Sequence, residues 1–158
     1  MNLVSLKEVL EPAAKGGYAV GAFNANNMEI VQAIIEAAAE ERSPVIVQAS
    51  QGAIRYAGLD FIVAMVKAAA GGVKIPVVLH LDHGTDYEQV IRCIRYGFSS
   101  VMYDGSQLPL EENIAMTKRV VEIARAVGVS VEGELGKIGG TEDDVTVEER
   151  EADRKSVV

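Results

Sequence analysis

From residue 18 to residue 133, short apolar runs alternate with amphipathic stretches, and nearly every run ends on a polar or ionisable side chain. Few folds accommodate that rhythm. The runs Tyr18 to Phe23, Val45-Ile46-Val47, Val77 to Leu81, Ser99 to Tyr103 and Val129 to Val131 are continuously apolar or nearly so, as expected of parallel strands covered on both faces. Between them, apolar residues recur at helical spacing: Val31, Ile34, Ile35 and Ala38; then residues 59–70; then Val90, Ile91 and Ile94; then Met116, Val120, Ile123 and Ala124. A first helix over residues 3–15 carries Leu3, Leu6, Val9 and Leu10 on one side and stops at Gly16-Gly17. Asn26 with Glu29, and Thr85 with Glu88, have capping-box spacing, which would start the second helix and the one after the third strand. Strictly alternating strands and helices of this kind make a parallel α/β protein, doubly wound or a barrel.

The strand ends carry the chemistry. They read Phe23-Asn24, Gln48-Ala49-Ser50, Asp82-His83-Gly84, Asp104-Gly105-Ser106 and Glu132-Gly133-Glu134. In parallel α/β folds the carboxyl ends of the strands converge on one rim, where active sites sit. One polar loop would mean little, but polar ends on all five strands gather their groups in one place. The third strand is the centre of this reading, because an apolar run there breaks off into a carboxylate, an imidazole and a glycine.

Each residue also has a plainer reading. His83 suits a hydrogen-bonded role at the start of a helix as well as a metal, and its neighbour Asp82 favours the metal. His80 lies two residues before Asp82 and shares its sheet face if the strand is regular, where it reads as a hydrogen-bonded histidine behind the site rather than a ligand. Asp104-Gly105 by itself is a turn. Glu132 and Glu134 share a face, as surface charge or as oxygen ligands for a divalent cation. The acidic stretch 142–151 reads as a solvated segment, although Glu142, just after Gly139-Gly140, could ride a loop hinged on those glycines. Cys93 sits mid-helix with no histidine or basic cluster nearby and reads as a small packing residue.

Composition excludes several classes. A net charge of −8 with 5% aromatic residues does not suit a nucleic-acid binder. No apolar run reaches the length of a bilayer span, and the amino terminus lacks the layout of a signal peptide. A single cysteine rules out an internal disulfide framework, so a reducing, cytoplasmic location is expected. A doubly wound nucleotide-binding domain fails because no Gly-x-Gly-x-x-Gly or P-loop follows the first strand.

Taken together, these pieces are specific. Gly21-Ala22-Phe23-Asn24, Ser43-Pro44-Val45-Ile46, His80-Leu81-Asp82-His83-Gly84, Asp104-Gly105-Ser106, Glu132-Gly133-Glu134-Leu135-Gly136 and Gly139-Gly140-Thr141-Glu142-Asp143 occur in this order. The chain resembles the N-terminal half of class II, metal-dependent ketose-bisphosphate aldolases, chiefly fructose-1,6-bisphosphate aldolase, over essentially residues 1–150. The resemblance implies a TIM (β/α)8 barrel, here an incomplete barrel of about five parallel strands with flanking helices, as one domain over residues 1–158 with residues 136–158 as a mobile acidic loop and divergent tail. It implies reversible cleavage of fructose 1,6-bisphosphate to dihydroxyacetone phosphate and glyceraldehyde 3-phosphate, with zinc or another divalent cation as cofactor. It casts His83 as a zinc ligand, Asp104 and Glu134 as members of an alternative metal position, and Glu132 and His80 as support behind them. Asp82 becomes the acid/base at the substrate hydroxyl, Glu142 the loop carboxylate that exchanges a proton with carbon, and Asn24 and Ser50 substrate-binding residues. A tagatose 1,6-bisphosphate aldolase is the nearest alternative, and Gly84 after His83 leans towards fructose.

The same resemblance exposes a departure. The family takes two further zinc histidines, its phosphate-binding glycines and a monovalent-cation site from later strands, whereas this chain has only His80 and His83. A truncated or altered chain, with weak zinc binding and no appreciable activity by itself, is therefore expected. The intact enzyme is expected to be a homo-oligomer. A different class also fits an incomplete barrel: a non-catalytic binding module whose open sheet edges favour association.

Overall fold

The computed structural model describes residues 3–136 in full and the backbone of 140–142 and 145–147. Five parallel strands form one sheet in the order β1 (Gly21–Asn24), β2 (Val45–Ser50), β3 (Val77–Gly84), β4 (Ser100–Tyr103) and β5 (Ser130–Gly133). The order follows the sequence and never reverses. A doubly wound sheet would reverse at its switch point, so this sheet has the winding of a barrel wall. A closed barrel of this type needs eight strands; the described sheet has five and is incomplete, with β1 and β5 at its edges.

Side-chain alternation along the strands divides the core in two. Odd-numbered residues, among them Val45, Val47, Val77, Leu79, Leu81 and Val101, face an outer layer of helices: α2 (Met28–Glu40), α3 (Gln51–Ala57), α4 (Leu59–Gly71), α5 (Tyr87–Tyr96) and α6 (Leu110–Ala126). Even-numbered Ile46 and Val78 face the other way and pack with Val9 of α1 (Leu6–Gly16). Thus α1 plugs the amino-terminal end of the concave face, and the polar even-numbered residues further along, Gln48, His80 and Asp82, line its open carboxyl end.

The elements start and stop close to where the sequence places them, with three corrections. The cap of α2 is Asn27, whose side chain accepts from the Ile30 N–H, rather than Asn26. The cap of α5 is Asp86, which accepts from Glu88 and Gln89, rather than Thr85. In each case a neighbouring oxygen-bearing side chain meets the free N–H groups one residue later. Leu10 is exposed, and Ala13 takes the buried place one turn on from Val9. The short α3 follows directly from Ser50, whose hydroxyl accepts from the Ala53 N–H. Beyond Gly136, the backbone of Gly140–Glu142 pairs antiparallel with Val145–Val147. The expected loop-and-tail character of 136–158 otherwise falls outside the described residues, as does the Glu142 side chain. Among the described residues no helix is long and apolar enough to cross a membrane.

Candidate active site

The open end of the concave face gathers the residues singled out above. Asp82 stands near the end of β3, in register with Ser50. Each of its carboxyl oxygens accepts one side-chain amide: Asn24 Nδ2 reaches Oδ2 at 2.7 Å, and Gln48 Nε2 reaches Oδ1 at 2.9 Å. Side chains from β1 and β2 therefore hold both oxygens of the carboxyl group and fix its plane. Gln48 has no site role in the sequence reading. Its signal is register, since it pairs with His80 across the β2–β3 ladder and so faces the same rim.

His83 reaches this rim through a backbone irregularity. Regular alternation would send it outward among the helices, opposite to Asp82. Instead the β3–β4 register advances three residues on β3, from Leu81 to Gly84, against two on β4, from Val101 to Tyr103. The extra residue makes a bulge, a device that re-aims side chains beside active sites. His83 itself has φ +46°, left-handed backbone that non-glycine residues adopt at a cost of about 1–3 kcal/mol. Gly84 closes the bulge at close quarters: a Cβ there would come within 2.7 Å of the Met102 carbonyl oxygen and of the Leu81 and Val90 side chains.

The turned imidazole meets two carboxylates. His83 Nδ1 lies 2.8 Å from Asp104 Oδ2 and 3.5 Å from Glu134 Oε2. The three side chains are 23%, 5% and 11% exposed, an enclosed cluster that still opens to solvent on the imidazole side. Asp104 is more than the turn residue its sequence permits. Burial pushes its carboxyl up, but hydrogen bonds from His83 and from the Ser106 N–H outweigh this and hold it below the usual carboxylate range.

The cluster fits a divalent cation on its own chemistry. One nitrogen and two carboxylate oxygens lie within 4.8 Å of one another. That donor set suits zinc, cobalt or manganese. Two carboxyl groups facing one imidazole nitrogen need a donor or a cation between them, which is the Nδ1–H of the ring or a metal that displaces its proton.

Behind the cluster, His80 is 2% exposed, and its Nδ1 is 2.8 Å from Ser100 Oγ. Its Nε2 lies 3.3 Å from Glu132 Oε2, off the line of a hydrogen bond. Burial lowers the His80 pKa to about 4, against the pull of the Asp82 charge and with the push of His83. Burial also raises the Glu132 carboxyl, and the Asp82 charge raises it further, while His83 opposes both. Asp82 and His83 thus act on the same two groups, which places the clamped carboxylate and the three-residue cluster in one electrostatic neighbourhood. Of the residues singled out in the sequence, Asn24, Asp82, His83, Asp104, Glu134, Glu132 and His80 share this neighbourhood. Ser50 stands beside Asp82 in the ladder, and its hydroxyl hydrogen is not used by the cap of α3.

Known proteins bear on this geometry. The sequence model of the family described as fructose-bisphosphate aldolase class-II matches residues 4–157. A fructose-bisphosphate aldolase of Geobacillus stearothermophilus is 53% identical over 151 residues, which is 94% of this chain and 53% of that one. A fructose-bisphosphate aldolase of Thermus caldophilus is 52% identical over 150 residues, 95% of this chain and 49% of that one. In structure, the YdjI aldolase from Escherichia coli K12 superposes with a TM-score of 0.81 at 33% identity, over 85% of this chain and 52% of that one. The chain therefore spans about half the length of the relatives it matches. A match over nearly all of its residues, on a barrel wall shared with a solved aldolase, settles its kinship: the chain belongs to the class II fructose-bisphosphate aldolase family.

Proposed function

We propose that this chain forms the part of a metal-dependent aldolase that carries the proton-transfer carboxylate and one side of the metal site, acting on fructose 1,6-bisphosphate to give dihydroxyacetone phosphate and glyceraldehyde 3-phosphate. The observation that carries the reading is the pairing at the β3 end of a clamped Asp82 with the His83–Asp104–Glu134 cluster. His83 and Glu134, with Asp104 beside them, would hold zinc, which as a Lewis acid stabilises negative charge developing on the carbonyl oxygen of the substrate.

The protein's own residues would do the rest. Cleaving the bond next to a carbonyl requires removal of the proton from the hydroxyl on the carbon that becomes the aldehyde. Asp82 is suited to take it, because Asn24 and Gln48 hold its carboxyl group so that it need not reorganise as the proton moves. In the cleaved state a proton must also reach the carbon of the other fragment, and Glu142 is the carboxylate we assign to that exchange. Ser50 and Asn24 would bind the substrate's polar groups, the phosphorylated ends being held by residues beyond this part.

The test joins the chain to the portion of the Geobacillus stearothermophilus relative that it does not cover. The fusion is expected to cleave fructose 1,6-bisphosphate, to lose that activity with a chelator and to regain it with zinc. The chain alone is expected to bind zinc weakly and cleave little. His83→Ala should lower the metal content of the fusion after dialysis against zinc. Equal metal content in the two proteins would remove His83 from the site, and a folded, zinc-loaded fusion without cleavage would remove the proposed reaction.

A further inference from the structure

Asp104, just past β4, still donates its N–H to the Gly84 carbonyl at 3.0 Å, but the other two cluster residues hang from backbone that has left the sheet ladder. His83 sits in the bulge of β3, and Glu134 is the first residue beyond β5. The backbone oxygen of each is captured by a side-chain amide from the opening of a helix. Gln51, the first residue of α3, donates from Nε2 to the His83 carbonyl at 2.9 Å and to Thr85 Oγ1 at 3.0 Å. Asn113, in the first turn of α6, donates from Nδ2 to the Glu134 carbonyl at 2.7 Å.

The surroundings are built for these bonds. Asn113 is 5% exposed, and its Oδ1 accepts from Thr117 Oγ1 at 3.2 Å, which fixes the amide with its nitrogen towards the carbonyl. Gly105 lies against the same amide, and a Cβ at that position would overlap it. A carbonyl oxygen only accepts, so in both places the nitrogen must face it. Neither amide touches the Asp82 carboxyl or the cluster side chains through any of these bonds; each acts on the main chain beneath a candidate ligand.

We infer that Gln51 and Asn113 are positioning residues that hold the main chain of His83 and Glu134 in the off-ladder geometry a divalent cation requires. The inference rests on the metal reading given above and names residues that reading does not need. A carbonyl released from Gln51 lets the His83 peptide relax from left-handed towards extended backbone, which swings the imidazole away from Asp104. A carbonyl released from Asn113 lets Glu134 continue the strand direction, which changes the face its carboxylate presents. Outer groups that orient ligands are generally worth 10- to 100-fold in metal affinity.

Gln51→Met and Asn113→Leu keep side-chain length and remove the donor. Each is expected to weaken cobalt(II) binding by the fusion about 10- to 100-fold in calorimetry. The chain has two histidines, so each imidazole can be followed separately by nitrogen-detected NMR without any metal. Gln51→Met should shift the His83 ring signals and leave those of buried His80 in place. His83 signals and cobalt affinity equal to the parent's would overturn the proposal. So would an equal disturbance of His80, because it would mean general loosening rather than positioning. Should the parent fusion take up no cobalt, the metal reading fails on its own, and the metal-free His83 spectrum of the chain still decides the role of Gln51. Should Asn113→Leu not fold, Gln51→Met on the half-buried start of α3 supplies the same readouts.

Discussion

Asp82→Asn is expected to lower kcat for fructose 1,6-bisphosphate cleavage by about 10²- to 10⁴-fold, the usual worth of a positioned acid/base, in the fusion that supplies the rest of the barrel. The substitution keeps the shape of the side chain and removes its ability to take a proton. It also sets an amide against two amide donors, Asn24 Nδ2 and Gln48 Nε2, so at least one donor loses its acceptor. Gln48→Met separates the two effects. It leaves the carboxyl group in place and removes one clamp, so its loss should be smaller. Because proton removal belongs to the transition state, kcat and kcat/KM should fall together in Asp82→Asn while KM changes little. Steady-state kinetics with a coupled assay reads this directly. A loss of less than about tenfold would take the proton-transfer role away from Asp82.

The second large effect is on stability against acid. The folded chain holds His80 neutral down to about pH 4, whereas an unfolded histidine takes a proton near pH 6.5. Between those values the unfolded state binds more protons than the folded state, so stability falls as pH falls through that window. The gap corresponds to about 3 kcal/mol, expressed progressively from pH 6.5 to pH 4. Glu132 acts in the opposite sense: its raised pKa means that the folded state binds the extra proton, so its contribution grows as pH falls through the carboxylate range. His80→Gln isolates the histidine. Urea unfolding of the two proteins at pH 7 and at pH 4 should show a much smaller drop for the variant than for the parent. Parallel pH profiles would mean that burial of His80 does not control its proton.

The parallel sheet and the list of polar strand ends are legible in the sequence because both follow from period and order alone, whereas period leaves the winding open between doubly wound and barrel, and only the family resemblance picks the barrel. Five apolar runs with helices between them leave little choice but a parallel sheet, and alternation assigns Gln48, His80 and Asp82 to one face. What escapes is whatever depends on a single residue of register. The bulge that turns His83 to the rim has no signature beyond a following glycine, and the extra residue is visible only against β4. The helix caps slipped by one residue for the same reason, since Asn26 and Asn27, or Thr85 and Asp86, are chemically equivalent until the backbone chooses. Asp104-Gly105 reads equally as a turn, and only its hydrogen bond to His83 distinguishes it. Gln51 and Asn113 were unreadable because their partners are main-chain oxygens far away in sequence. The short α3 escaped because seven residues containing a glycine give no periodicity to count.

Cys93 packs on the inner side of α5 with no exposed surface, and burial pushes its thiol up to about 12. At neutral pH it is therefore a poor nucleophile twice over, shielded and protonated. As the chain's sole sulfhydryl, it is a ready-made chronometer. Alkylation can proceed only when α5 lifts from the wall, so the labelling half-life counts excursions of that helix with no engineered probe.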